Sequence, residues 1–166
     1  MNVKLFIALT ALAVAGCASF DGRGLVSGKS TQTEVEALMG VPAERVKAAS
    51  GDTVLYYPRQ PTGRMSYAAR IAPDSVLRSV DQLLTEPNIA NIVRGVSTRD
   101  QVREIGGPPW RITRKEPQQR EVWEYTMINM TQWDYFLYVQ FSNDGIVREV
   151  MMLKDYKKEM AGPGLS

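Results

Sequence analysis

The sequence predicts an α+β fold in which one small unit, a capped helix followed by three antiparallel strands, is used twice in tandem. A repeat is the first observation. Residues 28–42, GKSTQTEVEALMGVP, recur 67 residues later as residues 95–109, GVSTRDQVREIGGPP, with six of fifteen positions identical. The second observation is that the likeness continues downstream. Thr53-Val54-Leu55-Tyr56-Tyr57 aligns with Glu121-Val122-Trp123-Glu124-Tyr125, and Ile71 to Val76 with Phe141 to Ile146, the offset drifting from 67 to 70 as loops lengthen. A period this long marks a small domain used twice, not a solenoid. The third is the alternation of apolar and polar residues in the segments after each helix, punctuated by Gly, Pro and Asn-Asp-Gly turns.

Residues 1–16 lie ahead of the fold. Lys4 is followed by an apolar run over residues 5–15, too short to span a bilayer, and then by small residues. This is the pattern of a secretory signal peptide. Its end, Val14-Ala15-Gly16-Cys17, resembles a bacterial lipobox, with cleavage between Gly16 and Cys17 and a covalent lipid, palmitate among its chains, on Cys17. Several acyl chains on one residue give stable anchoring. Cys17 is the sole cysteine, so no intrachain disulfide forms. By resemblance to such lipoproteins, the absence of Asp after Cys17 implies sorting to the outer membrane of a Gram-negative bacterium, with the globular part in the periplasm.

Residues 17–27 read as the lipidated Cys and a Gly-rich, mobile linker. The Gly28-Lys29-Ser30 that follows is not a P-loop: Arg23 occupies the place of the required upstream glycine, and the leader occupies that of the strand. The first unit spans residues 28–87. Thr31 and Glu34 fit a capping box, Val35, Leu38 and Met39 share a helical face, and Gly40 and Pro42 stop the helix. Strands are expected over residues 53–58, 65–71 and 75–84, with a Pro/Gly loop over residues 59–64.

The second unit spans residues 88–155. Residues 88–93 read as a short helix whose counterpart in the first unit is degraded. Thr98 and Gln101 repeat the capping box, Val102 and Ile105 the apolar face, and Gly106, Gly107, Pro108 and Pro109 the stop. Strands follow over residues 121–128, 133–141 and 146–153, with Asn143-Asp144-Gly145 as a tight turn. Residues 156–166 read as a flexible tail.

Strand parity separates two faces. Tyr135, Leu137, Val139 and Phe141, joined by Trp123, Tyr125 and Met127, are assigned to the helix side. Phe136, Tyr138 and Gln140 form the other set, with Val122, Glu124, Val147, Glu149 and Met151 on neighbouring strands and Tyr56 as the first-unit counterpart. Either the aromatics of this second set are covered by the other unit, or they form a partner-binding face. The candidate partner-binding residues are Tyr56, Phe136, Tyr138, Gln140 and Met151. A unit of this size buries only roughly 60% of its unfolded surface and is marginal alone, so the two copies are expected to pack together.

Composition argues against catalysis. The chain has no histidine, which removes the usual general base near neutral pH and the commonest metal ligand. No Ser-x-x-Lys occurs, and the spacing of Glu121 and Glu124 puts them on opposite strand faces. Asp74 and Asp144 read as turn formers, and Asn129-Met130-Thr131 as a coincidental sequon. No catalytic, cofactor or metal site is assigned; the only prosthetic group expected is the lipid on Cys17. Without residues 1–16 the chain carries 19 basic and 18 acidic residues, a balance that draws it neither to nucleic acid nor to nucleotide.

One order of motifs carries a resemblance. Gly95-Val96-Ser97-Thr98, Val102, Gly107-Pro108-Pro109, Trp123-Glu124-Tyr125 and Phe141-Ser142-Asn143-Asp144-Gly145, together with the lipobox, resemble the small outer-membrane lipoproteins called BamE, SmpA or OmlA. The resemblance implies a two-helix, three-stranded unit, an architecture doubled in the secreted β-lactamase inhibitor proteins (BLIP). It also implies a non-catalytic accessory role in the machinery that assembles β-barrel proteins into the outer membrane, with affinity for phosphatidylglycerol. The chain departs from the family in having two copies and in replacing the polar segment ahead of the first helix. An inhibitor-type or other periplasmic protein binder is the alternative suggested by the doubled architecture. A lipid carrier would need an internal apolar cavity.

Overall fold

The computed structural model describes residues 19–117 and 120–156. Gly16, Cys17 and the tail beyond residue 156 lie outside the described residues, and with them the expected cleavage, lipidation and tail. The first unit runs α1 (Gln32–Met39), β1 (Glu44–Lys47), β2 (Thr53–Pro58), β3 (Ser66–Ile71) and β4 (Leu77–Gln82). The second runs α2 (Glu86–Ile89), α3 (Arg99–Gly106), β5 (Arg111–Lys115), β6 (Arg120–Ile128), β7 (Asp134–Phe141) and β8 (Val147–Lys154). Each unit holds one antiparallel sheet, with strand orders β1-β2-β3-β4 and β5-β6-β7-β8.

Two expectations are corrected here. The sheets have four strands, not three. The added strands, Glu44-Arg45-Val46-Lys47 and Arg111-Ile112-Thr113-Arg114-Lys115, are short, charged and largely exposed. They carry no apolar alternation, because an edge strand is held by its neighbour's backbone and kept soluble by its charges. The second correction concerns the stretch expected as a mobile linker: residues 19–30 form turns, and the helix read as degraded in the first unit is absent there. These residues are nevertheless laid against the sheet. Leu25 packs on the first core, Gly28 N donates to Leu77 O at 2.8 Å, and a Cβ at Gly22 would sit 3.0 Å from Val80.

The duplication is written in the hydrogen bonds. Both capping boxes close, Thr31 with Glu34 and Thr98 with Gln101. Leu77 N donates to Ser30 O, and Val147 N to Ser97 O. Ser30 Oγ accepts from Val26 N, and Ser97 Oγ from Val93 N. Ala43 N donates to Tyr56 O, and Trp110 N to Glu124 O. Asp74 and Asp144 each accept from the amide two residues on, as turn formers do. The same register shift falls between Arg70 and Ile71 and between Gln140 and Phe141. That bulge turns Val147 inward, opposite Phe141, where unbroken parity assigned it to the other face.

The helix-side assignments hold otherwise. Val35 and Met39 of α1 pack on Leu55, Tyr57, Ala69 and Ile71. Val102 of α3 and Ile89 of α2 pack on Trp123, Tyr125, Met127, Leu137, Val139 and Phe141, with Tyr135 partly buried at the margin. The units meet at Leu83 and Leu84, just past β4. Leu84 enters the second core, while Leu83 joins Val54, Tyr56 and Ala68 on the outer face of the first sheet.

Gly106 and Gly107 lie at this joint. Gly106 ends α3, and a Cβ there would stand 3.5 Å from Leu84; only Gly107 takes positive φ, at 77°. A Cβ on Gly107 would come within 2.7 Å of Ser66 Oγ in the first unit. Its carbonyl accepts from the buried Tyr125 hydroxyl at 3.1 Å.

Candidate functional site

The residues singled out from sequence divide between two places. Phe136, Tyr138 and Gln140 alternate along β7 and point away from the helices. Met151 lies opposite Tyr138, Leu153 opposite Phe136 and Glu149 opposite Gln140 on β8. On the other side Thr126, Glu124 and Val122 of β6 pair with Phe136, Tyr138 and Gln140. The outer face of the second sheet therefore assembles four of the five candidates. Phe136, Tyr138 and Met151 are half-buried, the Phe136 and Tyr138 rings 6.4 Å apart, and Gln140 is 5% exposed.

Tyr56 is elsewhere. It is 4% exposed on the outer face of the first sheet, in the cluster with Val54, Ala68 and Leu83. That face is turned toward α3 of the second unit. Arg103 of α3 pairs with Glu44 of β1, and Arg70 of β3 reaches Glu104 of α3 at 3.9 Å. Burial pushes the Tyr56 phenol above its ordinary range. The outer sheet face is thus turned toward the neighbouring unit in the first copy, while in the second Phe136, Tyr138 and Met151 stay half-buried, a difference invisible to strand parity.

Polar groups frame the open face. Glu124 is buried at its centre, next to Tyr138. Arg111 Nε donates to Glu124 Oε2 at 2.9 Å, and Thr113 Oγ1 donates to Oε1 at 3.3 Å. The hydrogen bonds with this carboxylate raise the Arg111 guanidinium further above its ordinary range. Arg111 also stacks over Trp110 at 4.5 Å. At the far end Arg120 donates to Gln140 Oε1 at 3.3 Å and pairs with Glu149 at 3.7 Å. Sequence reasoning missed the Arg111–Glu124–Thr113 set because two of its members stand on the unforeseen edge strand.

Glu121 and Glu124 do face opposite ways. Glu121 accepts from Trp123 Nε1 at 2.7 Å and from Arg99 Nε at 2.9 Å on the helix side. Burial works to raise its carboxyl, but the two hydrogen bonds and the Arg99 charge outweigh it and hold the group below its ordinary range. Among the described residues no cluster of acidic or cysteine side chains is arranged to hold a metal ion, and no helix is long and apolar enough to cross a membrane. The arrangement offers a mixed aromatic and charged surface suited to contact with another macromolecule.

Residues 82–151 match the model of the outer membrane protein assembly factor BamE domain. The stretch runs from the end of β4 into β8 and contains most of the open face. The second unit thus matches the same domain family that its motif order resembles. No curated protein matches the chain. Among solved structures it is similar to a DUF4309 family protein, YjgB of Bacillus subtilis. That likeness is 18% identical, covers 80% of this chain and 84% of that one, and has a TM-score of 0.30, too loose to carry an argument.

Proposed function

We propose that this chain is a non-catalytic accessory lipoprotein in the assembly of β-barrel outer-membrane proteins, and that the outer face of its second sheet docks a subunit of the assembly machinery. The match of residues 82–151 to the BamE domain carries the reading. The geometry supports it: within that stretch Phe136, Tyr138 and Met151 remain half-buried on a face that the other unit covers in the first copy. Half-exposed aromatics around a buried, paired Glu124 form a mixed aromatic and charged protein-binding surface. On this reading Cys17 holds the protein to the inner surface of the outer membrane through its lipid, with phosphatidylglycerol as a membrane contact of the family's kind. No cofactor, nucleic acid or nucleotide takes part.

The test is a mild-detergent pull-down from native membranes through a C-terminal tag, with the partners identified by mass spectrometry. Barrel-assembly subunits recovered in near-stoichiometric amount are the expected result. Recovery of some other periplasmic protein in their place would overturn the reading.

A further inference from the structure

We infer that the end of the molecule formed by residue 20 and the two hairpin tips, residues 59–65 and 129–133, lies against the bilayer and inserts Trp133 into its interface. The inference deepens the proposed function, because it rests on a chain held to the membrane near residue 17.

The two tips are equivalent turns, β2 to β3 and β6 to β7, and they are side by side. Gln60 Oε1 accepts from Thr126 N at 2.6 Å on the stretch of β6 that β5 leaves unpaired. Arg64 bridges to Asp134 and to Asp155, each at 3.5 Å. Phe20 joins them, for the Arg59 guanidinium lies 3.6 Å over its ring. Ser19 and Phe20 line a groove with Arg59, Met65 and Tyr67. The residue expected to carry the lipid is thus two positions from this end.

Exposed apolar side chains gather here. Phe20 is 50% exposed, Met130 77%, Trp133 41% and Tyr156 59%, with Met65 and Leu153 beside them. The Lys154 ammonium sits 3.2 Å over the Trp133 ring. Trp, Tyr and a snorkelling Lys are the residues that settle at a water–lipid boundary, where an amphipathic ring meets both phases. Charge is not the draw. Arg23, Arg59, Arg64 and Lys154 stand against Asp21, Asp134 and Asp155, so the end is close to neutral. Contact by apolar insertion requires no acidic lipid. Leu153 continues into the outer face beside Phe136, so that face would rise from the bilayer surface.

The test uses the full chain, expressed with its leader, extracted from membranes and reconstituted in phosphatidylcholine vesicles with brominated acyl chains, which quench nearby tryptophan. Wild type is compared with W133F, and the mass of each sample reports acylation at Cys17. We expect wild-type quenching to exceed that of W133F about twofold or more, since of the two tryptophans that remain Trp123 is buried in the core and Trp110 is partly buried beneath Arg111, whereas Trp133 is exposed at the tip. Equal quenching in the two proteins overturns the inference and leaves the anchor standing. An unacylated Cys17 with the leader retained overturns the anchor assignment, while the W133F comparison still decides the tip. A chain recovered free of membranes overturns both.

Discussion

Trp123 ties the second core to its polar margin. Its ring lies 4.9 Å from Phe141, its Nε1–H donates to Glu121, and Arg103 stacks over it at 5.4 Å. Truncation removes that packing and leaves Glu121 with one hydrogen bond fewer. Trp123→Ala should therefore cost roughly 3–5 kcal/mol in denaturant unfolding. An unchanged midpoint would place the ring outside the core. Glu121 gives a pH signature. Its folded-state carboxyl lies below the ordinary value of 4.5, so it contributes stability present above that pH and lost as pH falls through the folded-state value. Thermal melts from pH 7 to 3 should show a shallower acid loss in Glu121→Gln than in wild type. Parallel curves would mean that the Arg99 and Trp123 contacts do not hold in solution.

The elements were legible in proportion to how much of their burial is local. The two capping boxes, with hydroxyl and acid or amide three residues apart, mark the starts of α1 and α3. β2 follows its apolar run at Thr53–Pro58, and β7 begins within one residue of its expected start. β1 and β5 were illegible because pairing, not side-chain pattern, makes them strands. Val147 was misassigned because a bulge inverts parity without a glycine on the strand to announce it. Gly40 and Gly107 read alike in sequence, and the structure separates them. Both have positive φ, but a Cβ at Gly40 meets nothing within 4 Å, while one at Gly107 meets Ser66 and Leu83 across the joint. Gly40→Ala should cost about 1 kcal/mol and Gly107→Ala about 2–3 kcal/mol or more, the difference being the clash between units. Equal losses in chemical denaturation would mean that the joint relaxes freely.

At the scale of the molecule, duplication has produced two surfaces of unequal use. One copy of the outer sheet face is turned toward the second unit's α3, with Tyr56 buried and Arg103 paired to Glu44. The other keeps Phe136, Tyr138 and Met151 half-exposed around the buried Glu124. This asymmetry was not legible in the sequence, because strand parity names a face without saying what lies over it. It leaves the second unit as the one whose outer face is open, while α3 of that same unit lies over the first sheet. The most direct measurement is photo-crosslinking in living cells from a photoreactive residue placed at position 138, with the same residue at position 56 as control. The account predicts a crosslink from position 138 to a subunit of the barrel-assembly machinery and none from position 56. Crosslinks to that machinery from position 56 and not from position 138 would contradict it.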